Sequence, residues 1–97
     1  MEERDYYIIL YDLYSSLFSV KQKEYFEDYY FNNYTLSEIA TNYKVSRNAV
    51  YKNINATMEK LLFYEDKLKL WQKKRLLNDI LVNIKDEEVI QKINQLY

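Results

Sequence analysis

The chain predicts an all-α fold, a helix-turn-helix bundle with a long C-terminal helical extension, on three observations. Neither Gly nor Pro occurs among its 97 residues. Such a chain cannot easily build the turns of a many-stranded sheet, whereas helices joined by short Asn, Ser and Asp turns need neither residue. Apolar residues recur at helical spacing along most of the length. Finally, Leu36–Ile54, LSEIATNYKVSRNAVYKNI, reads as a short helix, a tight turn and a second helix beginning at Ser46, the pattern of a helix-turn-helix. Within it Ile39, Ala40, Tyr43, Val45, Val50 and Ile54 are spaced as two steeply crossing helices need, with Ala40 small at the contact and Val45 plugging the turn. Codon bias discounts part of the composition. Gly and Pro have GC-rich codons, while the abundant Tyr, Asn, Ile and Lys have AT-rich ones, so the twelve tyrosines are not counted as a nucleic-acid stacking surface.

Residues 4–18 place Tyr7, Leu10, Tyr11, Tyr14, Leu17 and Phe18 on a helical period. Ile8, Ile9 and Leu13 make this helix apolar around most of its girth, so it packs on more than one side. Its tyrosine stripe is read as core, each hydroxyl reaching water or a partner. Ser19-x-x-Gln22 matches a capping box and opens a second helix, with Phe26, Tyr29 and Tyr30 inward and Lys21, Lys23, Glu24, Glu27 and Asp28 outward. Asn32-Asn33 marks a turn, because Asn tolerates left-handed backbone. Thr35-x-x-Glu38 is a second capping box and starts the first motif helix. Lys44 occupies the turn site where many helix-turn-helix proteins use Gly, which reaches positive φ at little cost. Ser46 is a good N-cap for the next helix.

From Arg47 onward no strong stop signal follows for some distance. Val50, Ile54, Met58, Leu61, Leu62, Leu68 and Trp71 can share one broad stripe. A break near Tyr64–Asp66, with Asp66 as cap, is compatible with the periodicity but not fixed by it. Leu77, Ile80, Leu81 and Ile84 form a further series that Asn83 can end. Asp86, Glu87 and Glu88 start a last helix carrying Val89, Ile90, Ile93, Leu96 and Tyr97, since acidic side chains suit a helix N-terminus. This C-terminal third is more amphipathic than the N-terminal bundle needs. It either folds back as a hairpin or forms a homodimer through the C-terminal helices.

Length and composition set the remaining bounds. Residues 1–97 are expected to form a single helix-turn-helix domain, with a head at 1–63 and a helical extension at 64–97. No run approaches the roughly 20 apolar residues of a membrane span, and the acidic start MEERD lacks the basic beginning of a secretory signal. The expectation is a cytoplasmic protein with no membrane insertion. Without Cys or His there is no disulfide, thiolate nucleophile or Cys/His zinc site. Without Gly no phosphate-cradling Walker loop forms. An enzyme is therefore the weakest reading, and no cofactor or metal is expected. Asp86-Glu87-Glu88 is read as helix capping, and Glu65 with Asp66 as surface charge.

The overall charge of −1 hides a segregation. Residues 1–43 carry three basic and eight acidic side chains, a net of −5, whereas residues 44–75 carry nine basic and three acidic ones, a net of +6. Residues 76–97 carry two and four, a net of −2. The positive segment begins in the proposed turn and runs along the second motif helix, where local potential matters more for phosphate binding than whole-chain charge.

Phe18-Ser19-Val20-Lys21-Gln22-Lys23 followed by Tyr30, then Thr35-Leu36-Ser37-Glu38-Ile39-Ala40 and Val45-Ser46-Arg47-Asn48-Ala49-Val50-Tyr51, resembles sigma-70 region 4. The sequence is closer still to the YlxM family of small bacterial helix-turn-helix proteins, in which a tyrosine-rich first helix, an EIA…VSR.AVY..I core and a long basic C-terminal helix occur together. The likeness covers residues 6–75 and is most specific over Glu38–Ile54; Lys44 departs from it at the turn. The resemblance implies a regulator linked to the signal recognition particle pathway. Carried over, it places Ser46, Arg47, Asn48, Tyr51 and Lys52 where helix-turn-helix relatives contact nucleic acid.

The expected nucleic-acid-binding residues are Lys44, Ser46, Arg47, Asn48, Tyr51, Lys52 and Asn55. Lys44, Lys52 and Lys60 neutralise phosphates, which makes affinity salt-sensitive. Arg47 and Asn48 read base edges, Arg preferring guanine and Asn adenine. DNA is the expected target, with structured RNA the alternative. A different class of function is a protein-interaction module in which Leu68, Trp71 and the C-terminal helices dock signal recognition particle components, such as the GTPase, without binding DNA.

Overall fold

The computed structural model describes residues 3–96. Among them are six α-helices and no strand: α1 (Glu3–Tyr14), α2 (Val20–Tyr30), α3 (Leu36–Tyr43), α4 (Arg47–Leu68), α5 (Leu70–Leu81) and α6 (Glu87–Asn94). The all-α helix-turn-helix bundle read from the sequence is the fold observed. Local signals set most boundaries. Both capping boxes form in full: Ser19 Oγ accepts from the Gln22 amide while Gln22 accepts from the Ser19 amide, and Thr35 and Glu38 do the same. The Asp86 carboxylate accepts from the Glu88 and Val89 amides and so acts as the cap of α6.

The first helix is shorter than expected. It ends at Tyr14 and passes into a 3₁₀ turn, Ser15–Leu17. Three residues per turn shift the register, so Leu17 points to solvent while Phe18, on extended backbone, returns its ring to the core. The inward face of α2 also differs by one position: Tyr25, Phe26 and Tyr30 are buried and Tyr29 only partly so.

α1, α2 and α3 all pack against α4, and α1 also meets α5, as its apolar girth requires. Tyr11 stacks on Phe26 with centroids 4.2 Å apart, and Phe26 on Tyr30 at 4.5 Å. From α4 come Val50, Ile54, Thr57 and Leu61, one side of the helix at a spacing of three to four residues. The tyrosine hydroxyls mostly find partners: Tyr11 donates to Glu27, Tyr14 to Glu65 and Tyr43 to Asp28. The Tyr25 hydroxyl is buried with none.

Tyr14 and Tyr43 should titrate late. Burial, reinforced by the hydrogen bond to Glu65 and opposed by the Leu70 amide, pushes Tyr14 up to about 12. Burial and the nearby Asp28 and Glu24 carboxylates push Tyr43 up to about 12 as well. A raised folded pKa stabilises the fold fully below the unfolded tyrosine value near 10, and that stabilisation is lost as pH rises towards 12. Alkaline titration of tyrosinate absorbance is therefore expected to show a late class that ionises together with loss of helical ellipticity. A single class near pH 10 with the helices intact would contradict this.

The helix break is displaced from its expected position near Tyr64–Asp66. α4 continues to Leu68, and the chain turns at Lys69, whose φ of 56° is left-handed. No residue of α5 or α6 is buried, and the molecule measures 54 × 24 × 24 Å. Leu70 and Trp71, at the start of α5, pack partly buried against the core.

Candidate nucleic-acid interface

The turn between α3 and α4 is built from backbone bonds. Lys44 takes left-handed dihedrals (φ 57°, ψ 44°), with its amide donating to Thr41 carbonyl at 3.3 Å and the Val45 amide to Ala40 carbonyl at 3.0 Å. This is a Schellman closure, which usually uses Gly at the left-handed position. A non-Gly residue there carries a steric cost of about 1–2 kcal/mol. Lys44→Gly is accordingly expected to raise stability by about 0.5–1 kcal/mol, the greater unfolded-state freedom of Gly offsetting part of the relief. A denaturant melt showing a loss would mean that the lysine stem holds the turn.

Ser46 then caps α4, its hydroxyl accepting from the Ala49 amide at 3.0 Å. α4 runs for 22 residues, about 33 Å at 1.5 Å per residue. Its first turns face two ways. Val50 and Ile54 lock against α3, where Ile39 and Ala40 are also buried. On the other side Arg47, Asn48 and Lys52 are exposed and Tyr51 keeps half its surface in solvent. Asn55, two turns on from Asn48, is half-buried. Lys44 and Ser46, both exposed, lie at the turn end of this row. All seven expected residues thus fall on the turn and the first turns of one helix.

The row is electrostatically unpaired. The ion pairs among the described residues are Lys67–Asp66 and Lys92–Glu88, so no carboxylate of those residues lies within ion-pair distance of Lys44, Arg47, Lys52 or Lys60. An unpaired basic row on one helix face is competent to replace condensed counterions on a polyanion.

The residue that sequence reasoning misread is Glu65. Taken as surface charge beside Asp66, it is only 9% exposed. Its Oε1 accepts from Tyr14 Oη at 2.7 Å and from the Trp71 amide at 3.0 Å, and its Oε2 from the Gln72 amide at 3.1 Å. Tyr14 Oη in turn accepts from the Leu70 amide at 3.1 Å. These are the first amides of α5, which a helix leaves unpartnered, and Lys69 before them offers no side-chain cap. Glu65 thus fixes where the extension leaves α4. One signal was available, because Glu65 lies four residues after Leu61 and so on the apolar stripe of α4. Asp66 remains exposed, beside Lys67.

Comparison with known proteins agrees with this geometry. Residues 1–96 match the family model described as "Putative helix-turn-helix protein, YlxM / p13 like". The match extends on both sides of residues 6–75, the span of the likeness read from the sequence. The chain is similar to a UPF0122 protein of Fusobacterium nucleatum, with 50% identity over 78 residues, 80% of this chain and 76% of the relative. A UPF0122 protein of Ureaplasma urealyticum is 37% identical over 94 residues, 97% of this chain and 95% of the relative. One from a Geobacillus species is 44% identical over 86 residues, 89% of this chain and 77% of the relative.

Proposed function

The chain belongs to the YlxM/p13-like family of helix-turn-helix proteins, and from that premise we propose that it is a non-catalytic, nucleic-acid-binding regulator. In this reading α4 enters the major groove of duplex DNA. The observation that carries it is the unpaired, exposed row of Arg47, Asn48, Tyr51 and Lys52 at the start of the second motif helix. Arg47 and Asn48 read base edges, while Lys44, Ser46 and Lys52 hold backbone phosphates and set the register. Asn55 stands at the inner limit of the contact row. Residues 1–97 act as one unit, the head binding and the extension supporting it.

Selection of bound species from a mixed DNA and RNA pool by the purified chain tests the reading. Duplex DNA should be retained, with affinity falling steeply as salt rises. Retention of structured RNA instead would move the target to A-form helices, and a flat salt dependence would sink both.

Two finer readings attach to this one. A place in the signal recognition particle pathway is what the family resemblance implies. A pull-down of particle components that survives nuclease treatment and loss of Arg47 would favour direct docking on the particle over DNA binding. A homodimer is supported by the apolar side chains that α5 and α6 leave in solvent, Leu76 and Ile80 among them, and paired half-sites would gain affinity. Sedimentation at micromolar concentration should then give twice the chain mass.

No helix among the described residues is long and apolar enough to cross a membrane. A cytoplasmic location follows from the proposed role.

A further inference from the structure

Arg4, at the start of α1, and Arg47, at the start of α4, line the same cleft of about 330 Å³. We propose that Arg4 holds one backbone phosphate of the bound duplex in this cleft, beside the base-reading Arg47, extending the interface from α4 onto the first turn of α1. The proposal rests on the nucleic-acid reading of α4 and adds a site outside the helix-turn-helix.

Arg4 is already held in place. Its Nη2 donates to Tyr30 carbonyl at 2.6 Å and to Asn33 Oδ1 at 3.0 Å, and its guanidinium carbon lies 5.3 Å from the centre of the Tyr30 ring. A cation suits the carbonyl end of α2, so these bonds alone would make Arg4 a structural clip. They use one nitrogen only. The N–H groups on Nε and Nη1 have no partner among the described residues, and a charge-assisted N–H donor fits a phosphate oxygen. A guanidinium pinned through Nη2 loses little freedom when it binds.

The surroundings point to an anion. Among the described residues, the cleft between the arginines is lined by neutral groups, Asn33, Tyr34 and Thr35 among them, and by no carboxylate. The nearby acids are engaged elsewhere. Glu38 accepts from the Thr35 amide, and Asp28 from Asn32 and Tyr43. Glu3 lines a neighbouring cleft with Arg4 and not this one. Two cations sharing a cleft without a counter-charge repel each other, and a phosphodiester between them removes that repulsion.

The test is equilibrium binding of the full chain to a labelled random-sequence DNA duplex of about two helical turns, followed by anisotropy from about 50 to 200 mM salt. Arg4→Gln is expected to weaken binding about fivefold to tenfold and to reduce the slope of log affinity against log salt by about 0.9, one phosphate. Because Arg4 also clips α1 to α2, a second variant keeps the test sound. Asn33→Asp retains an acceptor for Arg4 and puts a negative charge in the cleft; it should reproduce the weakening without lowering the melting temperature. If the wild-type chain binds with salt dependence, Arg47→Ala weakens it, and both Arg4→Gln and Asn33→Asp match wild type, the cleft is overturned and Arg4 is a clip only. If the wild-type chain does not bind the duplex, the reading of α4 fails and takes the cleft with it.

Discussion

Glu65→Ala is expected to lower the melting temperature by about 15 °C or more, a larger effect than any surface carboxylate should have. Glu65 and Tyr14 together accept from the Leu70, Trp71 and Gln72 amides, and Tyr14 also donates to Glu65. Hydrogen bonds to a charged group contribute roughly 1.5–3 kcal/mol each, and a donor stripped of its partner in a buried place costs roughly 1–3 kcal/mol. Water entering the joint would recover part of this, so a net loss of about 3–4 kcal/mol is expected. A total stability of about 5–15 kcal/mol and a sensitivity of about 4–8 °C per kcal/mol for a chain of this size give the stated shift.

Companion variants identify the cause. Glu65→Gln keeps the shape but presents an NH₂ group where two amides and a phenol all need acceptors, so it should lose most of the same stability. Tyr14→Phe removes one donor and the acceptor for Leu70, for about 1–2 kcal/mol. The double variant should cost less than the sum of the singles by about 1 kcal/mol, because both side chains serve one network. Hydrogen exchange supplies the local readout: in Tyr14→Phe, the Leu70, Trp71 and Gln72 amides should lose protection while those of α2 and α3 keep theirs. A fall in melting temperature below about 3 °C for Glu65→Ala would mean that water serves these amides as well as the carboxylate does.

What could and could not be read from the sequence divides along the same line. Ser19, Thr35, Ser46 and Asp86 were legible as caps because each bonds an amide within three residues, so the signal is local. The α3–α4 motif was legible because its buried residues repeat at the spacing of two crossing helices. The break at Lys69 carried no such mark. A left-handed lysine looks like any other lysine in sequence, and the groups that cap α5 include Tyr14, 51 positions before Glu65. Leu17 was misplaced for a related reason, since the 3₁₀ turn after α1 changes the register that a continuous period assumes. For the candidate interface, residue type and helix face were readable. The neighbour that Arg47 gains from α1 was not, because Arg4 reaches that cleft only through the packing of α1 against the end of α2.

Arg47→Ala combined with Lys52→Ala should weaken duplex binding about 100-fold at moderate salt and leave the melting temperature unchanged. Each exposed cation is assigned one contact worth about 1.4 kcal/mol, tenfold in affinity. Neither side chain has an ion-pair partner among the described residues, and Ala is at least as good a helix former as Arg or Lys, so stability has no reason to fall. The salt slope should drop by about 0.9 for each substituted residue that met a phosphate. Asn48→Ala should behave differently, changing which sequences are preferred more than how affinity responds to salt, because a base contact releases no counterion. Lys92→Ala on α6 provides the control: its ammonium already pairs with Glu88 at 3.1 Å, and its loss should leave binding as it was. Should the Arg47/Lys52 variant bind like wild type while Lys92→Ala or a change at Trp71 impairs association, the first turns of α4 are not the interface, and the C-terminal helices must carry the partner.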